Sequence, residues 1–457
     1  MAGLPEEKLE IVRGLMEVSP DRVIDGLRAA LSQSQDAALA EIRLLVDAEA
    51  EERRLRVAAL QPISALFAGD GRTSDRLVFP AKALPLIWRG LKVQAAEEVA
   101  AARTHLDDLI GSSRGPGPLD ALARVAAQNL KFPTTLDFDR AVTLCNGVRP
   151  GGADQLASCF ELAPIARRAV ARMSEWINRP SDANAAAARL AYKDAVDVID
   201  DAGLGFFELL AAQLDQPWTI LRVISAVMQR PGERVLADME LAPFALRTMD
   251  AVDSSIAAMG VLDLDGGAAA GIASAKFIEI ATLQIIELEQ AIELDREGPW
   301  GKRIARQKQI LAAAVEARFK AAEKAVAVAV PTQAVRLANI VKLRPKLIAP
   351  PDPQAVKRAV TLLAFAAESR ACAHNGGFAS ARVKLIEHLD ESFEQYIDEV
   401  LDRMRHGEIE DLSLAQHYLS VVAEFIGMIH DRKAAELVRR RAAAAAGSEG
   451  ARSGPSA

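Results

Sequence analysis

The chain has 457 residues, of which half are hydrophobic and about a quarter are charged, with a formal net charge of −7. Its length is roughly three to four times that of a typical single domain, so we expect two or three subdomains or one extended array. The apolar content excludes wholesale disorder, and the mild net charge gives no drive toward nucleic acid or acidic lipid.

Three cysteines, Cys145, Cys159 and Cys372, are few, odd in number and outside any C-x-x-C pair. This usage excludes a secreted disulfide framework and favours a reducing compartment.

The first residues, MAGLPEEKLE, lack a basic region followed by an apolar one, so we expect no signal peptide. No run of about 18 residues is free of charge, so we expect no transmembrane helix and a cytoplasmic location.

Helical periodicity dominates from the N-terminus onward, and alternating β-branched residues are scarce. Ser19-Pro20 supplies an N-cap followed by a first-turn proline, which predicts the start of a helix. Residues 37–60 predict a longer helix with a dense charged face that is expected to be solvated. The glycine- and proline-rich stretch 111–118 then separates a first helical subdomain, residues 1–110, from the rest.

A second predicted subdomain, residues 119–345, contains the best candidate metal site. Asp194, Asp197 and Asp201 follow the spacing i, i+3 and i+7, and Asp200 lies beside them. On one continuous helix they would share a face, where like charges repel unless they are solvated or neutralised. A divalent cation bound to the three carboxylates would remove that repulsion. An exposed acidic stripe without a ligand is the alternative.

The aspartates of YKDAVDVIDDAG resemble, in residue type, the aspartate-rich motif of helical isoprenoid synthases. The resemblance implies a helical enzyme in which the aspartates bind Mg²⁺ and, through it, a diphosphate. It covers one helix of this chain. The order of the aspartates differs from that family's motif, and no second acidic motif follows to face them, so the family's activity is not carried over.

Charge is divided unevenly between two neighbouring segments of the same subdomain. Residues 276–297 are rich in acid, whereas residues 302–346 carry eleven Lys or Arg against two Glu. The GPWG turn between the two segments predicts an antiparallel acidic–basic helical hairpin over residues 275–343, whose exposed ion pairs select the pairing. The alternative is a basic segment that faces an anionic partner. Its expected anion-binding residues are Arg303, Arg306, Lys308 and Arg318.

Prolines divide the last part of the chain. The apolar run AVAVAV predicts that the basic helix ends before Pro331, and four prolines within residues 344–353 separate a third subdomain, residues 352–440.

Cys372 and His374 would point in different directions on a helix, which excludes a local catalytic pair. The following Asn-Gly-Gly predicts a bend between two helices. The tail, residues 441–457, is predicted to be disordered.

The sequence therefore predicts an all-α protein, an irregular array of antiparallel helices and helical hairpins in two or three subdomains. No P-loop, calcium loop, nucleophile elbow or two-histidine metal clip is complete, and we expect no cofactor. Long helices with charged faces favour an adaptor or scaffold that contacts a protein partner. Two alternatives stay open: a cation-dependent enzyme or ligand binder at residues 194–201, and a binder of an anionic partner through residues 302–346. Nucleic acid is not expected, because aliphatic residues separate the basic ones.

Overall fold

The computed structural model describes residues 6–32, 39–72, 76–107, 117–200, 202–337 and 340–450. Within these ranges the chain is a packing of α-helices with one two-stranded sheet, which confirms the all-α fold. Backbone contacts divide it into two compact units. The N-terminal unit holds residues 1–231 and 236–243, and the C-terminal unit holds residues 232–235 and 244–457.

The described helices of the N-terminal unit are α1 (Glu6–Val18), α2 (Asp21–Ser32), α3 (Ala40–Leu60), α4 (Ala83–Gln94), α5 (Ala96–Thr104), α6 (Gly117–Lys131), α7 (Leu136–Val148), α8 (Gly152–Val170), α9 (Met173–Asn178), α10 (Asp182–Val198), α11 (Ala202–Ala211) and α12 (Ile220–Met228). Helix α8 is central and packs against α6, α7, α10 and α11. Leu156 and Phe160 on α8 are almost fully buried, as expected of a helix enclosed by neighbours.

The C-terminal unit contains parts of α13 (Glu233–Ala237) and α14 (Ala242–Gly260), and then α15 (Gly267–Ala291), α16 (Pro299–Ala329), β1 (Thr332–Leu337), β2 (Ile340–Pro345), α17 (Pro353–Glu368), α18 (Ala379–Arg405), α19 (Leu412–Ile429) and α20 (Arg432–Gly450). Helix α17 is central and packs against α15, α16 and α19. Gly271 lies where α15 meets α17, and the absence of a side chain there allows the two backbones to approach closely.

Helix α16 receives its N-terminal cap from a residue far away in the sequence. Gly298 occupies the N-cap position and has no side chain to bind the first free N–H groups of the helix. The buried carboxylate of Glu233 does so instead, accepting hydrogen bonds from the main-chain N–H groups of Trp300 at 2.7 Å and Gly301 at 3.2 Å. It also accepts one from the N–H of Asp295 at 3.1 Å.

The segment after α16 differs from the predicted helical hairpin over 275–343. Helix α16 ends at Ala329, before Pro331 as predicted, but β1 and β2 then form an antiparallel hairpin with Thr332 opposite Pro345. The reason is local: a proline at each end excludes a continuing helix, and the β-branched residues between them favour extended backbone.

The acidic and basic helices also pair less than predicted. Helix α15 packs mainly against α17 and touches α16 only slightly. Lys308 of the basic helix binds Glu289 of the acidic helix at 2.9 Å. Close packing between backbones therefore decides the neighbour of α15, since exposed ion pairs contribute only a few tenths of a kcal/mol each.

The bend predicted around Cys372 and His374 is confirmed. Helix α17 ends at Glu368, Gly377 adopts a positive φ of 78°, and α18 begins at Ala379. The two flanking helices do not pack chiefly on each other. Phe365 of α17 and Phe378, the residue before α18, both contact Phe319 of α16, with ring centroids 6.3 and 6.1 Å away.

The predicted disorder from residue 441 onward is wrong for its first part, because α20 continues to Gly450. Alanine has the highest helix propensity, Ala442 and Ala445 are buried, and Arg441 binds Asp398 at 2.6 Å. Residues 451–457 lie outside the described part of the chain.

Among the described residues, the helices Gly267–Ala291 and Leu412–Ile429 are long and apolar enough to cross a membrane. In each of them 44% of the apolar stretch is buried inside the protein. Core helices of water-soluble proteins share these properties, so no clear transmembrane segment is indicated.

Candidate interaction groove

The aspartates singled out in the sequence do not share one continuous helix. Helix α10 ends at Val198, and Ile199 is extended. Asp194 and Asp197 are exposed on the last turns of α10, whereas Asp201 lies outside the described residues. The described part of the chain contains no group of three or more His, Cys, Asp or Glu placed to hold a metal ion.

Three of the four predicted anion-binding residues are bound within the protein. Arg303 donates hydrogen bonds to Asp250 and Asp253 at 2.5 and 2.6 Å. Lys308 binds Glu289, as described above. Arg318 donates to the main-chain oxygens of Met259 and Gly260, at the C-terminus of α14, where a cation is favourable. Arg306 is exposed, so one of the four side chains is free to meet an external anion in the described structure.

The cysteines have no nucleophilic environment. All three are buried and free. Burial raises the pKa of Cys145 and Cys372 to about 11 and that of Cys159 to about 12. The thiol form therefore predominates at neutral pH, which fits small apolar packing residues and not reactive thiolates.

A groove opens between α2 and α3. The two helices run antiparallel, because Arg28 binds Asp47 at 3.0 Å and Asp21 binds Arg53 at 2.5 Å. Helix α2 begins at Asp21 and is the shorter of the two. The last two turns of α3, which follow Arg53, therefore extend past the N-terminus of α2 at Asp21.

The cavity left at this end has a volume of about 360 Å³. Its lining is apolar at the floor and charged at the rim. The lining residues are Asp21, Ile24 and Asp25 from α2, with Ala50, Arg53, Arg54, Val57, Ala58 and Gln61 from α3 and its end. Val57 is half exposed, so a large apolar side chain of this groove already faces solvent.

Arg53 fixes the shape of the groove. Its guanidinium donates to the main-chain oxygens of Met16 at 2.7 Å and Ser19 at 2.9 Å. It also donates to the carboxylates of Glu49 at 2.7 Å and Asp21. Burial alone would lower the pKa of Arg53, but the hydrogen bonds to the two carboxylates outweigh burial and raise it. Arg53 thus joins the end of α1, the start of α2 and α3.

Replacing Arg53 with alanine is expected to lower the free energy of unfolding of α1 and α2 by about 2–3 kcal/mol, because buried oxygens lose their donor. Hydrogen exchange of the α1 and α2 amides, read by mass spectrometry, measures this change. Arg43→Ala is the control, since Arg43 is exposed and contacts Asp47 at 3.8 Å. Equal exchange rates in the two variants would contradict the role given to Arg53.

The C-terminal end of α3, which carries the groove floor, is held in place by the rest of the unit. Arg167 donates to the main-chain oxygens of Ala59 and Gln61 at 3.3 and 3.0 Å and to Asp120 at 2.7 Å. Burial raises the pKa of Asp120 and lowers that of Arg167, so for both groups burial outweighs their mutual attraction. The Gln213 amide donates to the main-chain oxygen of Pro62 at 2.8 Å. These hydrogen bonds tie the C-terminal end of α3 to the rest of the unit.

Other apolar side chains are exposed on the helices around the groove. Ile11 and Leu15 stand one turn apart on α1, and Val23 and Leu27 stand one turn apart on α2. Residues four apart share a helix face, so α1 and α2 each present an exposed apolar pair. Clustered exposed apolar residues commonly mark protein contact sites.

Sequence reasoning did not find this groove. Residues 37–60 were predicted as one helix with a solvated charged face, and α3 occupies most of that range. The available signal was Val57 and Ala58 amid the charged residues of α3. That signal has meaning only once the lengths of α2 and α3 and their relative placement are known.

Comparisons with known proteins identify no relative. No protein-family model, no curated protein and no solved structure matches the chain.

Proposed function

We propose that the chain is a helical adaptor that binds a partner protein in the groove between α2 and α3. The observation that carries the proposal is the cavity of about 360 Å³, with an apolar floor and charged rim. Its volume falls within the range of ligand-sized pockets, about 300–1,000 Å³. Helices α1 and α2 also carry exposed apolar pairs that do not line the cavity.

The expected complex is a transient one. We expect an interface below about 1,200 Å², the range of weak signalling and redox encounters. A dissociation constant near 1 μM, about −8 kcal/mol, is typical of such an interface. An adaptor that exchanges partners needs an affinity of this order, because tighter complexes dissociate slowly.

Capture of partners from a lysate of the protein's own cells, with quantitative mass spectrometry, tests the proposal. The wild-type chain is compared with Val57→Asp, which places a charge in the groove, and with Val93→Asp. Val93 is 68% exposed on α4 and does not line the groove. Both variants must first show wild-type helix content and melting temperature.

We expect a partner that the wild-type and Val93→Asp chains retain and that Val57→Asp loses by at least tenfold. The fold-change follows from burying an unpaired carboxylate, which costs more than about 1.4 kcal/mol. Partners retained equally by all three chains would contradict the proposal. So would the absence of any Val57-dependent partner.

A further inference from the structure

We infer that strand β1 pairs with the β1 of a second copy of this chain, antiparallel and about a two-fold axis at Ala334. The pairing joins two hairpins into one four-stranded sheet. It is independent of the groove between α2 and α3. Three observations carry the inference: the open edge of β1, the closed edge of β2 and the self-complementary register of β1.

The main-chain groups of β1 that face away from β2 follow from the register of the hairpin. Lys346 donates its N–H to the main-chain oxygen of Pro331 at 2.9 Å, so these two residues form a hydrogen-bonded pair. Bonded and non-bonded pairs alternate along an antiparallel ladder, and residues of non-bonded pairs point their N–H and C=O groups outward. The outward-facing residues of β1 are therefore Thr332, Ala334 and Arg336.

The edge that these groups form is open. Thr332, Gln333 and Ala334 are exposed, and β1 makes extensive contact with no described element other than β2. Neither Thr332 nor Ala334 uses its outward N–H or C=O in a hydrogen bond within the described structure. An open strand edge of this kind is a template for pairing with another strand.

The edge of β2 is closed. Pro345 occupies an outward-facing position opposite Thr332, where it has no N–H to offer. Its main-chain oxygen accepts a hydrogen bond from Arg403 of α18 at 3.2 Å, and Arg344 forms an ion pair with Glu399 of the same helix at 3.1 Å. A new strand is therefore added to the hairpin beside β1.

The sequence of β1 suits pairing with itself. In a two-fold symmetric contact a surface meets itself. With the axis at Ala334, Thr332 of one copy lies opposite Arg336 of the other, and the two Ala334 residues lie opposite each other. The outward N–H and C=O groups of these residues in both copies then pair, and none is left over. The small alanine side chains at the axis fit the close approach of the two strands.

The charges of the hairpin do not oppose this contact. The sequence of β1, TQAVRL, has one charged residue, Arg336. The two copies of Arg336 lie about 14 Å apart, because four residues along the strands separate them. This separation exceeds the Debye length of about 8 Å at physiological ionic strength, so their repulsion is largely screened.

Disulfide trapping in the purified full-length chain tests the inference. The two Cα atoms at the axis lie about 5.5 Å apart, within the reach of a disulfide. We expect Ala334→Cys to give a disulfide-linked dimer on mild oxidation. The native cysteines are buried and do not compete. Leu343→Cys is the control, because Leu343 is 59% exposed but its two copies lie on the outer strands, about 14 Å apart.

Sedimentation of the reduced chain over a range of concentrations measures the dimer without a crosslink. Wild type should form a reversible dimer. Ala334→Pro should raise the dissociation constant at least about tenfold, because each copy loses a hydrogen-bond donor at the axis. Leu343→Pro is the matched control, since it places a proline opposite Ala334, also at an outward-facing position. This variant should leave the dissociation constant unchanged.

Several results would overturn the inference while leaving the proposed function intact. A chain that stays monomeric at every concentration and gives no disulfide-linked dimer through Ala334→Cys does not pair at β1. Equal trapping by Ala334→Cys and Leu343→Cys, or equal dimerisation of Ala334→Pro and wild type, would place the contact elsewhere. An Ala334→Cys chain that crosslinks in a cell lysate only to another protein would give the edge to that protein. If both proline variants lose the dimer, the disulfide trap decides.

Discussion

Replacing Gly271 with alanine is expected to lower the free energy of unfolding of the C-terminal unit by about 3 kcal/mol. A β-carbon at this position would lie 2.1 Å from the main-chain oxygen of Thr361 and 2.9 Å from the main-chain nitrogen of Phe365. Both atoms belong to the backbone of α17, which cannot rotate aside as a side chain can. The two helices must separate, and a close-packed core loses contacts along both.

Native-state hydrogen exchange across a urea series, read on peptides from α15 and α17, measures this loss. Gly271→Val should be more destabilising than Gly271→Ala, because its side chain is larger. Gly260→Ala is the control in the same unit, since no atom lies within 4 Å of its added β-carbon. The control should be neutral or slightly stabilising. If Gly271→Ala and Gly260→Ala had the same stability, the close approach of α15 and α17 would be wrong.

The second large effect is expected at Glu233. Glu233→Ala removes the acceptor of three main-chain N–H groups, those of Asp295, Trp300 and Gly301. Each buried donor left without a partner costs about 1–3 kcal/mol, and partial hydration reduces the sum, so we expect a loss of about 3–5 kcal/mol. The loss should appear as faster hydrogen exchange at the start of α16.

Two further variants separate the cap from a general effect of removing charge. Glu233→Gln keeps an acceptor oxygen and loses the charge, so it should cost about half as much as Glu233→Ala. Glu297→Ala should change stability by less than about 0.5 kcal/mol, because its side chain is 86% exposed and pairs only with the exposed Lys302 in the described structure. A Glu233→Ala chain as stable as Glu297→Ala would show that the carboxylate does not cap α16.

The sequence predicted those features that depend on neighbouring residues. The all-α class, the long helix within residues 37–60, the end of α16 before Pro331 and the bend near Cys372 each follow from local periodicity, proline or glycine. The β-hairpin after Pro331 was missed, although its β-branched residues and flanking prolines carried the signal.

Features that depend on distant residues were beyond the sequence. Nothing local marks Glu233 as the cap of α16, 67 residues before Trp300. The basic residues of α16 suggested an outward anion site, yet Arg303 and Arg318 bind α14, which only the packing reveals. The groove likewise arises from the different lengths of α2 and α3, and no motif encodes it.

Photo-crosslinking from position 57 tests the proposed groove most directly. A small aliphatic diazirine amino acid replaces Val57 in one sample and Val93 in another, and each full-length chain is irradiated in a lysate of its own cells. The proposed function predicts a discrete crosslinked protein from position 57 and none from position 93. The same crosslinks from both positions, or none from position 57, would contradict binding in the groove between α2 and α3.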